Sequence, residues 1–114
     1  MEHQEQVVLF DWLALMSIRD KRYGMAYAIP NGGLRNVVVA MKLKREGLKP
    51  AVPDICLPVP SNGYHGLYIE MKRVAGRLTD DQFGWLVALR EQGYEAFVCY
   101  GFEQARVAIE EYLK

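Results

Sequence analysis

The sequence predicts an α/β protein in which helices flank a small mixed β-sheet. Three observations point there. Segments with helical hydrophobic spacing alternate with short apolar, β-prone runs in the order α, β, α, β, β, α, β, α. Two of those runs flank the turn sequence "PSNG" and read as an antiparallel hairpin. At 114 residues the chain has room for one core, which buries about two thirds of the unfolded surface. Residues 1–114 are therefore expected to form a single domain.

Residues 2–20 are helix formers throughout, with Gln6, Leu9, Leu13 and Met16 at i, i+3, i+4 spacing and "RDKRYG" as a charged exit. "MAYAIP" predicts a short strand closed by Pro30. The following "NGG" predicts a turn whose glycines reach backbone conformations that side chains disfavour. A second helix is expected from about Leu34 to Glu46, with Leu34, Val37, Val38 and Met41 on one face, basic residues in the last turn, and Gly47 and Pro50 as stop signals. Pro53 restarts the chain in an extended state. After the hairpin and a third helix, "YEAFVCY" reads as a further strand. Phe102 to Leu113 reads as a closing helix with three acids on its outside.

The hairpin can be registered from sequence. With the turn centred near Asn62, antiparallel partners have residue numbers that add to about 124, which sets Asp54 opposite Glu70. Opposed residues point to the same side with Cβ atoms about 4.5–5.5 Å apart, so two like charges would be pressed together unless a cation relieves them. Lys72 shares that side because side chains alternate with period two. The other side carries Ile55, Leu57, Ile69 and Met71. An apolar face is thus backed by a polar one holding two acids and a lysine.

The third helix opens with "LTDDQF". Thr79 as N-cap with Gln82 at the third helical position fits a capping box, and Asp80 and Asp81 favour the positive end of the helix dipole. Gln82 also has helical spacing with Leu78, Trp85, Leu86 and Leu89, the face that must pack on the sheet, so its amide can equally point toward the carboxylates. Both readings stand on the pattern.

Formal net charge is zero, which argues against a general electrostatic grip on nucleic acid. The distribution is nevertheless lopsided. Residues 35–77 hold eight Lys/Arg (Arg35, Lys42, Lys44, Arg45, Lys49, Lys72, Arg73 and Arg77) against three acids (Glu46, Asp54 and Glu70), a net of +5, and the remainder carries −5. Two of the three acids in the basic half are the hairpin pair. Apolar runs such as "VVLF" and "LVAL" fall far short of the roughly 20 residues of a membrane span, and "MEHQEQ" is unlike a secretion signal. A cytoplasmic protein without a membrane partner is expected.

Two hard carboxylates suit Mg²⁺ or Mn²⁺, which leave most coordination positions to water and phosphate oxygens. A lysine beside them can orient an attacking water or stabilise charge on phosphate. Metal-assisted phosphodiester hydrolysis uses this set. A bare ExK has little weight, since with each residue at about 6% it arises by chance in about a third of chains of this length. The PD, the register and the basic surround together make it informative.

These features resemble the VRR-NUC domains of the PD-(D/E)XK nuclease superfamily over nearly the whole chain. The resemblance rests on "EHQEQ…W", "IPNGG.R", "LKREGLKP.VPD", "GLYIEMK", "GRLTDDQ..WL" and "GY" before the last strand. It implies a restriction-endonuclease-like core, metal binding by Asp54 and Glu70, a nucleophilic water positioned by Lys72, and support from Gln82. It also implies an acid from helix one near the metal, for which Glu2 is chosen, one turn before Gln6, with Glu5 as the rival. Ala51 departs from the glycine that many relatives carry before VPD. Stand-alone members of this size resemble phage-encoded nucleases that cut branched DNA, such as Holliday junctions, as homodimers in the bacterial host. Arg35, Lys42, Lys44, Arg45, Lys49, Arg73 and Arg77 are the expected DNA contacts. A non-catalytic DNA-binding subunit and a nuclease acting on flaps or RNA share the same motifs and stay open.

Other conspicuous residues have ordinary readings. His3 and His65 lack metal-site spacing and read as surface residues. Cys56 and Cys99, with no CxxC or Cys/His pattern, read as buried free thiols. Trp12, Phe83 and Trp85 read as core or dimer contacts.

Overall fold

The computed structural model describes residues 2–30 and 36–114, the side chain of Glu2 excepted. Along the chain run α1 (Glu2–Met16), a 3-10 turn (Lys21–Met25), β1 (Tyr27–Ala28), α2 (Val37–Arg45), β2 (Ile55–Leu57), β3 (Leu67–Lys72), α3 (Asp80–Glu91), β4 (Glu95–Tyr100) and α4 (Phe102–Leu113). The strands form one sheet in the order β1-β2-β3-β4. The first two pairings are antiparallel and β3 with β4 is parallel, α3 being the crossover that a parallel pair requires. The architecture is the mixed α/β arrangement read from the sequence.

Alternation along the strands sorts the two faces. Ile55, Leu57, Leu67, Ile69, Met71 and Cys99 pack with Leu9 and Leu13 of α1 and with Ala105, Ile109, Tyr112 and Leu113 of α4. This is the main core. The opposite face carries Tyr68, Glu70 and Lys72 of β3 and the fully buried Ala96 of β4, and α3 packs there through buried Leu86.

The hairpin pairs Ile55 with Ile69 and Leu57 with Leu67, the register read from the sequence. Its tip is a two-residue turn, Asn62 and Gly63, both at positive φ (53° and 86°), closed by Ser61 and Tyr64. Between tip and strands, three residues (58–60) on one side oppose two (65 and 66) on the other. Pro58, Val59 and Pro60 absorb the extra residue as a bulge, which shifts the register by one. The C-terminal end of α4 holds the tip in place. Ser61 Oγ and Asn62 Nδ2 donate to the Tyr112 carbonyl oxygen at 2.6 and 2.8 Å, and the Tyr112 hydroxyl donates to the Val59 carbonyl oxygen at 2.6 Å.

Three expectations need correction. Helix α1 ends at Met16 and not near residue 20, because the Asp20 carboxylate accepts the Arg22 backbone N–H and pairs with its guanidinium at 2.7 Å, starting a separate 3-10 turn. The first strand is only Tyr27–Ala28. Helix α2 begins at Val37, where the Asn36 side chain accepts the Val39 N–H at 2.9 Å. Its expected core face is exposed, Val37, Val38 and Met41 being 72%, 77% and 62% accessible, and the helix buries none of its residues. The "NGG" turn, Leu34 and Arg35 lie outside the described residues.

Candidate active site

Asp54 is the residue before β2. The chain reaches it through a tight turn in which Ala51 adopts φ 70°, followed by buried Pro53. The Ile29 N–H donates to the Asp54 carbonyl oxygen at 2.7 Å, which anchors the backbone to the β1 side. In continuation of the hairpin register, Asp54 stands opposite Glu70. Its Oδ2 accepts the Met71 backbone N–H at 2.7 Å, so one carboxylate oxygen is fixed against β3 by a charge-assisted hydrogen bond.

Glu70 is 3% exposed, the one charged residue in the buried set among the described residues. A buried carboxylate is costly unless donors or cations surround it. Two groups on the same face supply them. Gln82 Nε2 donates to Glu70 Oε2 at 3.2 Å, and Lys72 Nζ lies 3.7 Å from the same oxygen with its side chain 12% exposed. The turn after β3 folds closely over the lysine. A Cβ at Gly76 would lie 3.1 Å from the Arg73 carbonyl oxygen and 3.4 Å from Lys72 Cδ, so glycine lets the backbone pass over that stem.

Both sequence readings of Gln82 hold together. Its backbone N–H donates to Thr79 Oγ1 at 3.1 Å and its Oε1 accepts the Thr79 N–H at 3.0 Å, which completes the capping box. The other end of the same amide reaches Glu70. The box positions the side chain that reaches Glu70.

Helix one reaches the same end of the sheet, but Glu5 is engaged elsewhere. Its Oε1 accepts the Phe102 N–H at 2.7 Å, which satisfies a donor at the first turn of α4 where Gly101 (φ 91°) offers no side chain of its own. No sequence pattern signalled this contact, whose partners are 97 positions apart. The side chain of Glu2, the other candidate, lies outside the described residues, as does Arg35. Lys42, Lys44, Arg45, Lys49, Arg73 and Arg77 are exposed. The first three fall in the last turn of α2, and Arg73 directly follows β3. His3 and His65 are exposed, and Cys56 and Cys99 are buried free thiols, as read from the sequence.

Among the described residues, no group of three or more His, Cys, Asp or Glu side chains gathers as a metal cage. The donor set on offer is the two carboxylates of Asp54 and Glu70. Two hard oxygen donors fit Mg²⁺ or Mn²⁺, which bind through one or two carboxylates and complete their shells with water and phosphate. They do not fit zinc, whose sites draw on nitrogen and sulfur. A groove of about 630 Å³ between β4 and α4, lined by Phe97, Val107 and Tyr112, shares no residue with this set.

Residues 2–103 match the VRR-NUC domain family model. The chain belongs to the VRR-NUC family. A solved structure described as a VRR_NUC domain protein is similar to it with a TM-score of 0.80 and 28% identity, over 97% of this chain and 86% of that one. A search of curated proteins finds no match. VRR-NUC domains are generally nucleases, and the matched span contains Asp54, Glu70, Lys72 and Gln82. No helix of the described residues is long and apolar enough to cross a membrane.

Proposed function

We propose that this VRR-NUC domain is a Mg²⁺- or Mn²⁺-dependent endonuclease of the PD-(D/E)XK type that hydrolyses phosphodiester bonds in DNA. The observation that carries the reading is the convergence of Asp54, Glu70 and Lys72 on one face of the hairpin, with Lys72 3.7 Å from Glu70. Asp54 and Glu70 are the residues that hold the cation, and Glu2 is the candidate for a third carboxylate from helix one. A cation held there would supply positive charge that stabilises the phosphate in the transition state. Lys72 donates hydrogen bonds that orient the attacking water and stabilise the phosphate oxygens, whose negative charge grows as the new P–O bond forms and the old one breaks. The water loses its proton to solvent, and the leaving oxygen takes one from solvent. Gln82 holds Glu70 in its ligating orientation, as outer hydrogen bonds commonly do for metal ligands.

Substrate and assembly follow from charge and size. The exposed Lys42, Lys44, Arg45, Lys49, Arg73 and Arg77, with Arg35, give the chain its basic half, where phosphates displace counterions. One copy offers one site, so paired incision of a branched duplex calls for two copies in a closed two-fold arrangement. We therefore assign a homodimer acting on branched DNA such as Holliday junctions, of the phage type, in the cytoplasm of a bacterial host. The test is incubation of the purified protein with junction, flap, duplex and single-stranded DNA in Mg²⁺, Mn²⁺ or chelator, beside light scattering. Metal-dependent paired nicks on the junction by a dimer are expected. Cleavage that survives chelation contradicts the metal reading. Paired nicks by a strict monomer contradict the assembly.

A further inference from the structure

We infer that Thr79 is a positioning residue for the active site, its backbone N–H fixing which end of the Gln82 amide faces Glu70. The inference rests on the reading that Asp54, Glu70, Lys72 and Gln82 form a metal-dependent hydrolytic site. A glutamine amide has two ends of nearly the same shape and opposite chemistry, an acceptor oxygen and a donor NH₂. The terminal torsion that exchanges them is soft and roughly two-fold. Facing Glu70, the two states differ greatly, because NH₂ donates to the carboxylate while the oxygen would be set against it.

The capping box removes the choice. The Thr79 N–H occupies Gln82 Oε1 at 3.0 Å, the Gln82 N–H is held by Thr79 Oγ1 at 3.1 Å, and the remaining NH₂ then points to Glu70 Oε2 at 3.2 Å. A box of this kind ordinarily contributes only to helix stability. Here its second partner is a side chain that also touches the site, so the first turn of α3 passes an orientation from the backbone of residue 79 to the carboxylate of Glu70.

Two substitutions at one position separate this role from helix stability. Thr79 has φ −78°, within the range proline adopts, so Thr79→Pro deletes the N–H as well as Oγ1. Thr79→Ala deletes Oγ1 alone and keeps the N–H that holds the amide. The comparison uses kcat and KM for Mn²⁺-dependent cleavage of a four-way DNA junction, and Mn²⁺ affinity by calorimetry without DNA, at a temperature where circular dichroism shows each variant folded. Relative to Thr79→Ala, Thr79→Pro should lower kcat about tenfold, with KM nearly unchanged and weaker Mn²⁺ binding, the size expected for one hydrogen bond to a charged group. Thr79→Ser should match the wild type. Equal activities for the proline and alanine variants overturn the inference. The wild-type chain gives a second reading that needs no variant to fold. The Gln82 side-chain amide pair in ¹H–¹⁵N spectra should lie apart from exposed amides and move on addition of Mg²⁺, and a pair lying among the exposed amides overturns it as well. Failure of the underlying reading looks different: Gln82→Ala would then cleave like the wild type, and the role assigned to Gln82 falls together with that of Thr79.

Discussion

Ile55 lies directly across the hairpin from Ile69. The next position outward on each strand is therefore Asp54 and Glu70, and their side chains share the face that Ile55 and Ile69 do not use. The bulge at Pro58–Pro60 makes this so. Carried out strictly from the two-residue tip, the register would set Asp54 across from Met71, and period-two alternation would place it with the apolar residues. One extra residue moves the acid from the core face to the functional face.

Lys72 is expected to act on the transition state and not on the metal. Lys72→Ala should lower kcat by about a hundredfold or more while calorimetry finds Mn²⁺ affinity within a few-fold of the wild type. An unchanged rate at saturating metal, with weakened Mn²⁺ binding, would show that the lysine's role is misassigned.

Ala51 is an alanine in left-handed conformation at φ 70°. That conformation costs a non-glycine residue roughly 1–2 kcal/mol, which a glycine avoids at some cost in chain entropy. Ala51→Gly should raise the unfolding free energy by about 0.5–1 kcal/mol in urea titrations, with cleavage unaffected. A loss of stability would mean that the turn does not carry this strain.

Glu5 serves the fold at the start of α4. Glu5→Ala removes the acceptor of the Phe102 N–H and should cost about 1 kcal/mol, as loss of a helix cap does. Mn²⁺ affinity should not move. A large loss of Mn²⁺ binding with little change in the melt would return Glu5 to the metal site.

Much of this was legible in the chain, for identifiable reasons. Strand periodicity and the hairpin signal "PSNG" bring Asp54 near Glu70 by local pattern, and the bulge at Pro58–Pro60 corrects the one-residue offset that the "NG" tip alone would leave. The capping box is local too, and it fixed the start of α3. Ala51 stands where the resemblance implies a glycine, and the turn there takes positive φ. What local pattern could not carry were contacts made by the finished fold. Glu5 meets α4 across nearly the whole chain, and Gly76 matters only because the backbone crosses Lys72. The apolar stripe of α2 has the spacing of a core face, yet spacing reports amphipathicity and not whether anything covers it.

Cys99 tests the core chemically. Burial pushes its thiol up to about 11, so the neutral form is favoured in the folded state. The stability contributed this way is complete below the ordinary thiol range near pH 8.5 and is lost as pH rises toward 11. Native protein at pH 8 should therefore resist iodoacetamide at Cys99 and react once urea unfolds it. Rapid labelling of the native chain would show that the core around Ile109 and Met71 is open.

The central claim is that Asp54 and Glu70 together hold the catalytic cation. Its most direct measurement is Mn²⁺-dependent junction cleavage by Asp54→Asn and Glu70→Gln beside the wild type, each checked for folding by thermal melt. Each variant removes one charge from a crowded pair, so both should melt at or slightly above the wild type without metal, and added Mn²⁺ should stabilise only the wild type appreciably. Both should lose cleavage entirely. Wild-type turnover in either folded variant would contradict the account.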